Sequence, residues 1–233
     1  MEKKILIFTA TYNESENIEV LIKDINNLSL NLDLLIVDDN SPDKTWEIIE
    51  KSDYKKNINL IKREKKLGLD TAHKTAYNYA IKKKYDYLIT MDADLSHDPK
   101  VIPSFLKELE KNPFVIGSRY MEGGSCEMKG FRKLISFLGN KFIKIVFNFK
   151  CDEFTTSFRG FNLKKLSKFD MNKISSKGYS FFMETVYEIH KSNYKIKQIP
   201  IHFANRERGK SKIPKVEIFR TLLNLIKLKL FKK

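Results

Sequence analysis

The sequence predicts an α/β protein: a mostly parallel sheet with helices on both faces, followed by a basic amphipathic helix at the C-terminus. Three observations carry this. Short apolar runs recur at residues 5–9, 32–37, 58–61, 87–91 and 114–116. Each has roughly the length of a buried strand. Between them, apolar residues fall at helical spacing. Strands alternating with helices build parallel sheets covered on both faces.

Each element has its own signal. The first run leads into Ile18, Leu21, Ile22 and Ile25, one face of a helix. The second leads into Trp46, Ile48 and Ile49, with Ser41 as the expected N-cap, Pro42 at the first helical position and Asp43 in the first turn. Residues 71–80 continue the third run as a helix. After the fourth come Val101, Phe105, Leu106 and Leu109, preceded by Asp98 as N-cap and Pro99 at N1. With no Gly/Ser linker, Pro-rich tract or internal repeat, residues 1–213 read as one domain and 214–233 as the C-terminal helix.

Composition excludes several classes. At 42% hydrophobic and 12% aromatic residues, the 233-residue chain is not disordered. Two cysteines, Cys126 and Cys151, form neither a disulfide framework nor a zinc ribbon and suit a reducing compartment. The start reads as no signal peptide, and no stretch reaches the ~18 uncharged apolar residues of a membrane span. The net charge of +15 rests on 44 basic residues, of which only seven are Arg. Solvated faces, a nucleic-acid surface and an anionic membrane surface each account for such a charge.

In open parallel sheets ligands bind beyond the carboxyl ends of the strands. Those ends read Thr11-Tyr12-Asn13-Glu14, Asp38-Asp39-Asn40-Ser41-Pro42-Asp43, Asp92-Ala93-Asp94-Leu95-Ser96-His97 and Gly117-Ser118-Arg119-Tyr120. Asp92 and Asp94 project to one side of an extended segment. All-oxygen ligation suits a hard cation, Mg²⁺ or Mn²⁺, with Ser96 or His97 placed to add a ligand. Asp38 and Asp39 are left for hydrogen bonds to a ribose or base. Neither Gly-x-Gly-x-x-Gly nor a P-loop is present, which argues against a dinucleotide dehydrogenase or a P-loop NTPase. A nucleic-acid-binding protein would not need Asp92-x-Asp94, and the basic residues are not interleaved with aromatics.

These strand-end segments, in this order, resemble the family 2 inverting glycosyltransferases, and among them the dolichyl- or polyprenyl-phosphate mannosyltransferases. The resemblance continues through Arg132-Lys133-Leu134-Ile135-Ser136, Thr155-Thr156-Ser157-Phe158-Arg159, Ser176-Lys177-Gly178-Tyr179 with Glu184, and Pro200-Ile201-x-Phe203-x-x-Arg206-x-x-Gly209-x-Ser211-Lys212. It implies a GT-A fold, a nucleotide-sugar donor (typically GDP-mannose), Mg²⁺ or Mn²⁺, and the phosphate of a long isoprenoid lipid as acceptor. It also implies roles. Tyr12, Glu14, Val37 and Asp39 match positions that hold base and ribose. Asp92, Ala93 and Asp94 match the metal and diphosphate motif, with Ser96 at a further metal-side position. Arg206 and Lys212 match donor-phosphate contacts, and Arg119, Arg132 and Ser136 the acceptor-phosphate pocket. Asp94, Arg119 and Arg132 are therefore the expected catalytic residues. Four positions depart from the family pattern: Ala10 for Pro, Asp70 for Gly, Glu153 for Asp and Phe182 for Gln. A UDP-sugar donor, glucose or GlcNAc, or a non-lipid glycan acceptor is the competing expectation.

A lipid phosphate is already anionic at neutral pH, so its attack needs positioning by cations more than a general base. Arg suits that task because its planar fork meets two oxygens at once; the alternative for Arg159 is a structural pairing. Residues 134–150 and 215–233 are apolar yet studded with Lys, which predicts interfacial helices on an anionic leaflet, with core packing as the alternative. The expectation is a peripheral enzyme on the cytoplasmic face of a membrane, or one that relies on a small membrane-anchoring partner.

Overall fold

The structure, a computed structural model, describes residues 3–206 apart from the side chains of Phe131 and Arg132. Lys212 and the predicted helix 214–233 lie outside the described residues. Strands β1 (Ile5–Thr11), β2 (Asp33–Asp38), β3 (Ile58–Lys62), β4 (Tyr87–Asp92) and β5 (Phe114–Ser118) occupy the five predicted runs. Helices α1 (Ile18–Asn26), α2 (Thr45–Lys51), α3 (Leu69–Lys82) and α4 (Ile102–Leu109) alternate with them. A two-residue strand β6 (Ser125–Cys126), helix α5 (Gly130–Phe147), strand β7 (Arg159–Asn162), helix α6 (Tyr179–Lys191), strand β8 (Ile196–Pro200) and strand β9 (His202–Phe203) complete the described chain.

The sheet order is β3-β2-β1-β4-β7-β5-β8, and β6 pairs β9 separately. Every neighbour in the large sheet is parallel except β7, which runs antiparallel between β4 and β5. The strands alternate between two cores because side chains alternate along a strand. Leu6, Phe8, Leu35, Val37 and Leu88 pack with α3 and α6 on one face. Ile7, Leu34, Ile36 and Ile89 pack with α1 and α4 on the other. Burial on both faces is why these strands read as continuous apolar runs.

Sequence reading misses β7 and β8. Strand β7 opens with Arg159-Gly160, which no apolar pattern flags. The Arg159 guanidinium is buried and donates to three main-chain carbonyls: Nε to Thr156 at 2.7 Å, Nη1 to Phe182 and Nη2 to Phe154, each at 2.8 Å. Desolvation pushes its pKa down to about 9. Arg159 is thus a structural residue, held by backbone oxygens where a carboxylate or a phosphate was expected.

Helix α2 begins later than predicted. Lys44 precedes it in the left-handed region, at φ 60°, and Thr45 opens the helix. Ser41 does not cap it: its Oγ accepts from the Asn13 N–H at 3.0 Å and donates to Asp38 Oδ2 at 2.6 Å, and its N–H donates to Asp38 Oδ1 at 2.8 Å. Asp98 does cap as predicted, accepting from the Lys100 N–H with Pro99 at N1.

Gly160 is where α4 crosses β7. A Cβ there would lie 2.9 Å from Leu109 Cδ1 and 3.0 Å from Phe105 Cδ1. Gly160→Val is therefore expected to destabilise the fold by about 1–3 kcal/mol through overpacking. Urea unfolding checks this, and an unchanged midpoint would refute it.

Candidate functional site

The strands converge on one edge. Register pairs Thr11 with Asp38, Asp38 with Lys62, and Ala10 with Asp92, so the segments after β1 to β4 start at one level. The chain passes from β1 to β2 on one side, while β4 lies on the other. The gap between β1 and β4 is thus a topological switch point, where α/β sheets open a ligand crevice. Tyr12 to Glu14 follow one of these strands, and Asp92 to Asp94 the other.

On the β2 side, Asp38 is buried and bound by Thr11 Oγ1 at 2.7 Å and by Ser41, so it ties β1 to β2 and is closed to a ligand. Asp39 is nearly buried. Its Oδ1 accepts from Arg63 Nη1 at 2.8 Å and its Oδ2 from the Gly68 N–H at 2.9 Å. Gly68, at φ 96°, brings its N–H to that carboxylate. Arg63 also donates to Thr71 and Thr75, which anchors the start of α3. The Lys66 ammonium lies 3.7 Å from the centroid of the Tyr12 ring. Glu14 is buried and accepts from Asn17 Nδ2 at 2.8 Å. Val37 needs correction: its side chain is fully buried in the core, facing α3, and does not line the site.

On the β4 side, Asp92 and Asp94 differ. Asp92 Oδ1 accepts from Ser157 Oγ at 2.6 Å, Oδ2 lies 3.8 Å from His97 Nδ1, and the side chain is 33% exposed. Asp94 Oδ1 accepts from the Ser96 hydroxyl and N–H. Its Oδ2 accepts from Arg206 Nε at 2.9 Å and Nη2 at 2.5 Å. Desolvation, reinforced by Asp94, raises the pKa of Asp92 above the usual carboxylate range. For Asp94 desolvation acts the same way, but Ser96 and Arg206 outweigh it and hold the pKa below that range. Ala93, between them, is buried.

Ser96 and His97 support this pair from behind. The Ser96 hydroxyl is buried and committed to Asp94. His97 Nδ1 accepts the Asp92 N–H at 3.2 Å and Nε2 lies 3.2 Å from Thr156 Oγ1. Burial keeps the imidazole neutral by lowering its pKa, despite the nearby Asp92 and Asp94. With both ring nitrogens engaged, His97 is not placed to ligate a metal.

Among the described residues, no group of three His, Cys, Asp or Glu is arranged to hold a metal ion. What remains among the described residues is two carboxylates, with the Asp92 side chain partly exposed. That set fits Mg²⁺ or Mn²⁺, which keep few protein ligands and share their sphere with substrate phosphates.

Beyond β5, Arg119 is buried against Glu153. Nε donates to Oε2 at 2.7 Å and Nη2 to Oε1 at 2.8 Å, with a further 2.7 Å bond from Nη2 to Thr155 Oγ1. Glu153 is fully buried and also accepts the N–H groups of Thr155 and Thr156. Desolvation works against both charges, yet each holds the other ionised: the pKa of Glu153 falls and that of Arg119 rises. Nη1 is the Arg119 nitrogen that these bonds leave open. The neighbouring Tyr120 hydroxyl donates to Ser136 Oγ at 2.7 Å, which brings the first turns of α5 beside Arg119. Arg132 lies in the same turns, with its side chain outside the described set.

Sequence reading finds the four strand ends and misses what neutralises them. Arg63 and Glu153 carry no spacing signal, since both meet their partners only through the fold. Residues 153–157 lie within the resemblance but receive no role from it, because they precede a strand: β7 is antiparallel, so its start lies at the edge where the parallel strands end.

Residues 6–169 match the family model described as glycosyl transferase family 2. An undecaprenyl-phosphate mannosyltransferase of Micrococcus luteus is 30% identical over 212 residues, which cover 90% of this chain and 87% of that protein. A dolichol-phosphate mannosyltransferase of Pyrococcus furiosus is 33% identical over 97% of this chain and 63% of its own length. Among solved structures, a mannosyltransferase of Pyrobaculum calidifontis, determined with GDP-Man and Mn²⁺, superposes with a TM-score of 0.60 at 17% identity, covering 99% of this chain and 71% of that one. The sheet is that of a GT-A fold, with its paired carboxylates at the switch point, and the chain belongs to glycosyl transferase family 2.

Proposed function

We propose that this chain transfers mannose from GDP-mannose to the phosphate of a polyprenyl lipid, with inversion at the sugar. The observation that carries the chemistry is the Asp92–Asp94 pair at the switch point between β1 and β4. The choice of sugar and acceptor is supported by the names of the relatives that match most of the chain.

In this reading the base and ribose lie along Tyr12, Glu14 and Asp39, and the diphosphate along Ala93, Arg206 and Lys212. Asp92 and Asp94 hold Mg²⁺ or Mn²⁺, which when bound neutralises charge on the nucleoside diphosphate leaving group. Ser96 positions Asp94 rather than ligating. On the opposite side, Arg119, Arg132 and Ser136 receive the lipid phosphate, with Arg119 contributing its open Nη1. A phosphate oxygen forms the new bond to the anomeric carbon as the bond to the diphosphate breaks on the opposite face. The acceptor arrives ionised, so the role of the arginines is to orient it and offset charge repulsion.

The acceptor also accounts for α5. Leu134, Phe137, Leu138, Phe142 and Ile145 are exposed on it, Ile145 by 70%. Their spacing of three and four residues makes one stripe, flanked by exposed Lys133 and Lys141, while Ile143 faces the core. Among the described residues this stripe is not packed into the core. No helix among the described residues is long and apolar enough to cross a membrane. An apolar stripe edged with lysines matches an anionic lipid surface. We assign α5 to peripheral binding on the cytoplasmic leaflet, with 215–233 or a small anchoring partner as further attachment.

Three outcomes are expected. Asp94→Asn should lower lipid-linked product formation from GDP-mannose and polyprenyl phosphate by at least about 100-fold in saturating Mn²⁺. Full activity would remove Asp94 from the site, and faster turnover of UDP-glucose or UDP-GlcNAc in the same assay would replace the sugar assignment. The double variant Arg119→Gln/Glu153→Gln keeps the buried pair neutral. It should raise KM for the lipid phosphate by about tenfold with little change in KM for the donor, whereas equal increases would make the pair structural only. Leu138→Glu with Phe142→Glu should abolish co-sedimentation with vesicles containing anionic lipid and leave the thermal midpoint unchanged; undiminished co-sedimentation would exclude this face.

A further inference from the structure

The guanidinium of Arg206 is the counter-charge of Asp94, with two nitrogens on a single oxygen, Oδ2. The other oxygen belongs to Ser96. Glu14 and Asp92 add to the negative field at Arg206. The contact is prepared by the backbone. Ala204 donates its N–H to Ser96 O at 3.1 Å, and His97 and Phe203 form an antiparallel bridge. Arg206 therefore leaves a segment stitched to the loop that carries Asp94. Tethering of this kind gives the side chain a high effective concentration at its partner. A divalent cation held by Asp92 and Asp94 would compete with Arg206 for the Asp94 carboxylate.

We propose that Arg206 is a resident counter-cation that competes with the divalent cation for Asp94, and that the donor diphosphate draws it off. This rests on reading Asp92 and Asp94 as the cation-holding pair. Cation and nucleotide then enter together: the diphosphate offers Arg206 a new anion at the moment the cation needs the carboxylate. Arginine suits the exchange because its planar fork meets carboxylate and phosphate oxygens equally well. Binding of the cation alone is weakened because it breaks a tethered ion pair. By thermodynamic linkage, nucleotide and cation strengthen each other by the same factor.

The test is calorimetric binding of Mn²⁺ at fixed ionic strength, with and without GDP, to the wild type, Arg206→Gln and Lys66→Gln. Lys66 supplies the control, since its ammonium lies over Tyr12 rather than on Asp94. Without GDP, Arg206→Gln should bind Mn²⁺ about tenfold more tightly than the wild type, the scale of a lost charge-assisted contact. Lys66→Gln should stay within about twofold of the wild type, a change too small for a lost direct contact. In saturating Mn²⁺, GDP should bind Arg206→Gln more weakly than the wild type. Equal Mn²⁺ affinity in the wild type and Arg206→Gln, or equal tightening in Lys66→Gln, overturns the competition. Undiminished GDP affinity in Arg206→Gln overturns the exchange. Failure of all three proteins to bind Mn²⁺, with or without GDP, overturns the cation reading and this inference with it.

Discussion

Taking an ion out of water costs several kcal/mol, and a buried charge persists only where an opposite charge or a set of dipoles replaces the lost hydration. The carboxyl edge of this sheet meets that constraint four times. Arg63 sits on Asp39, Arg206 on Asp94 and Arg119 on Glu153, while Arg159 draws on three main-chain carbonyls. Most of the arginines at this edge are therefore already paired before any ligand arrives. A charged ligand binds here by exchange more than by addition: what it gains from a residue must exceed what that residue already has. Arg206, partly exposed on a short tether, is the easiest to exchange, and the buried Arg119–Glu153 pair is the hardest.

The topology explains why these partners meet. Parallel strands deliver the segments that follow them to one edge, which brings Tyr12, Asp39, Asp92 and Arg119 together. An antiparallel strand within the same sheet delivers the segment that precedes it. Strand β7 does this for residues 153–157, and so Glu153 reaches Arg119, Ser157 reaches Asp92, and Thr156 reaches His97. One reversed strand thus supports Asp92, His97 and Arg119. Gly160 makes the reversal possible by letting α4 lie close over β7.

The same geometry marks the limit of what residues disclose in linear order. The five apolar runs, the two cores and the strand-end acids are legible because burial on both faces of a sheet writes continuous apolar segments. Strand β7 is not, since a fully buried Arg159 breaks the pattern that signals burial. The Ser41 cap fails because its hydroxyl is taken up in a buried corner, donating to Asp38 and accepting from the Asn13 N–H. Val37 lies one residue before that corner, and the period-two alternation turns its side chain into the core. For α5 the spacing reveals the stripe, yet only the packing shows that the described fold leaves it largely open, with Phe137 meeting the Tyr120 ring.

Charge compensation also separates the two kinds of basic residue. Four of the seven arginines, at 63, 119, 159 and 206, are engaged inside the fold. They add little to the outward field, so the excess of +15 is expressed mainly by lysine on the surface. This division matches two different demands. A phosphate held at the sheet edge needs directed donors with fixed geometry, which arginine supplies. A lipid surface needs diffuse positive charge beside apolar side chains, which lysines flanking the α5 stripe supply. The Tyr120–Ser136 hydrogen bond joins these regions, because it fastens the first half of α5 to the loop carrying Arg119. An acceptor whose phosphate must reach the crevice while its hydrocarbon stays in a membrane calls for that adjacency: an ionic pocket at one end of a helix whose outer face is apolar.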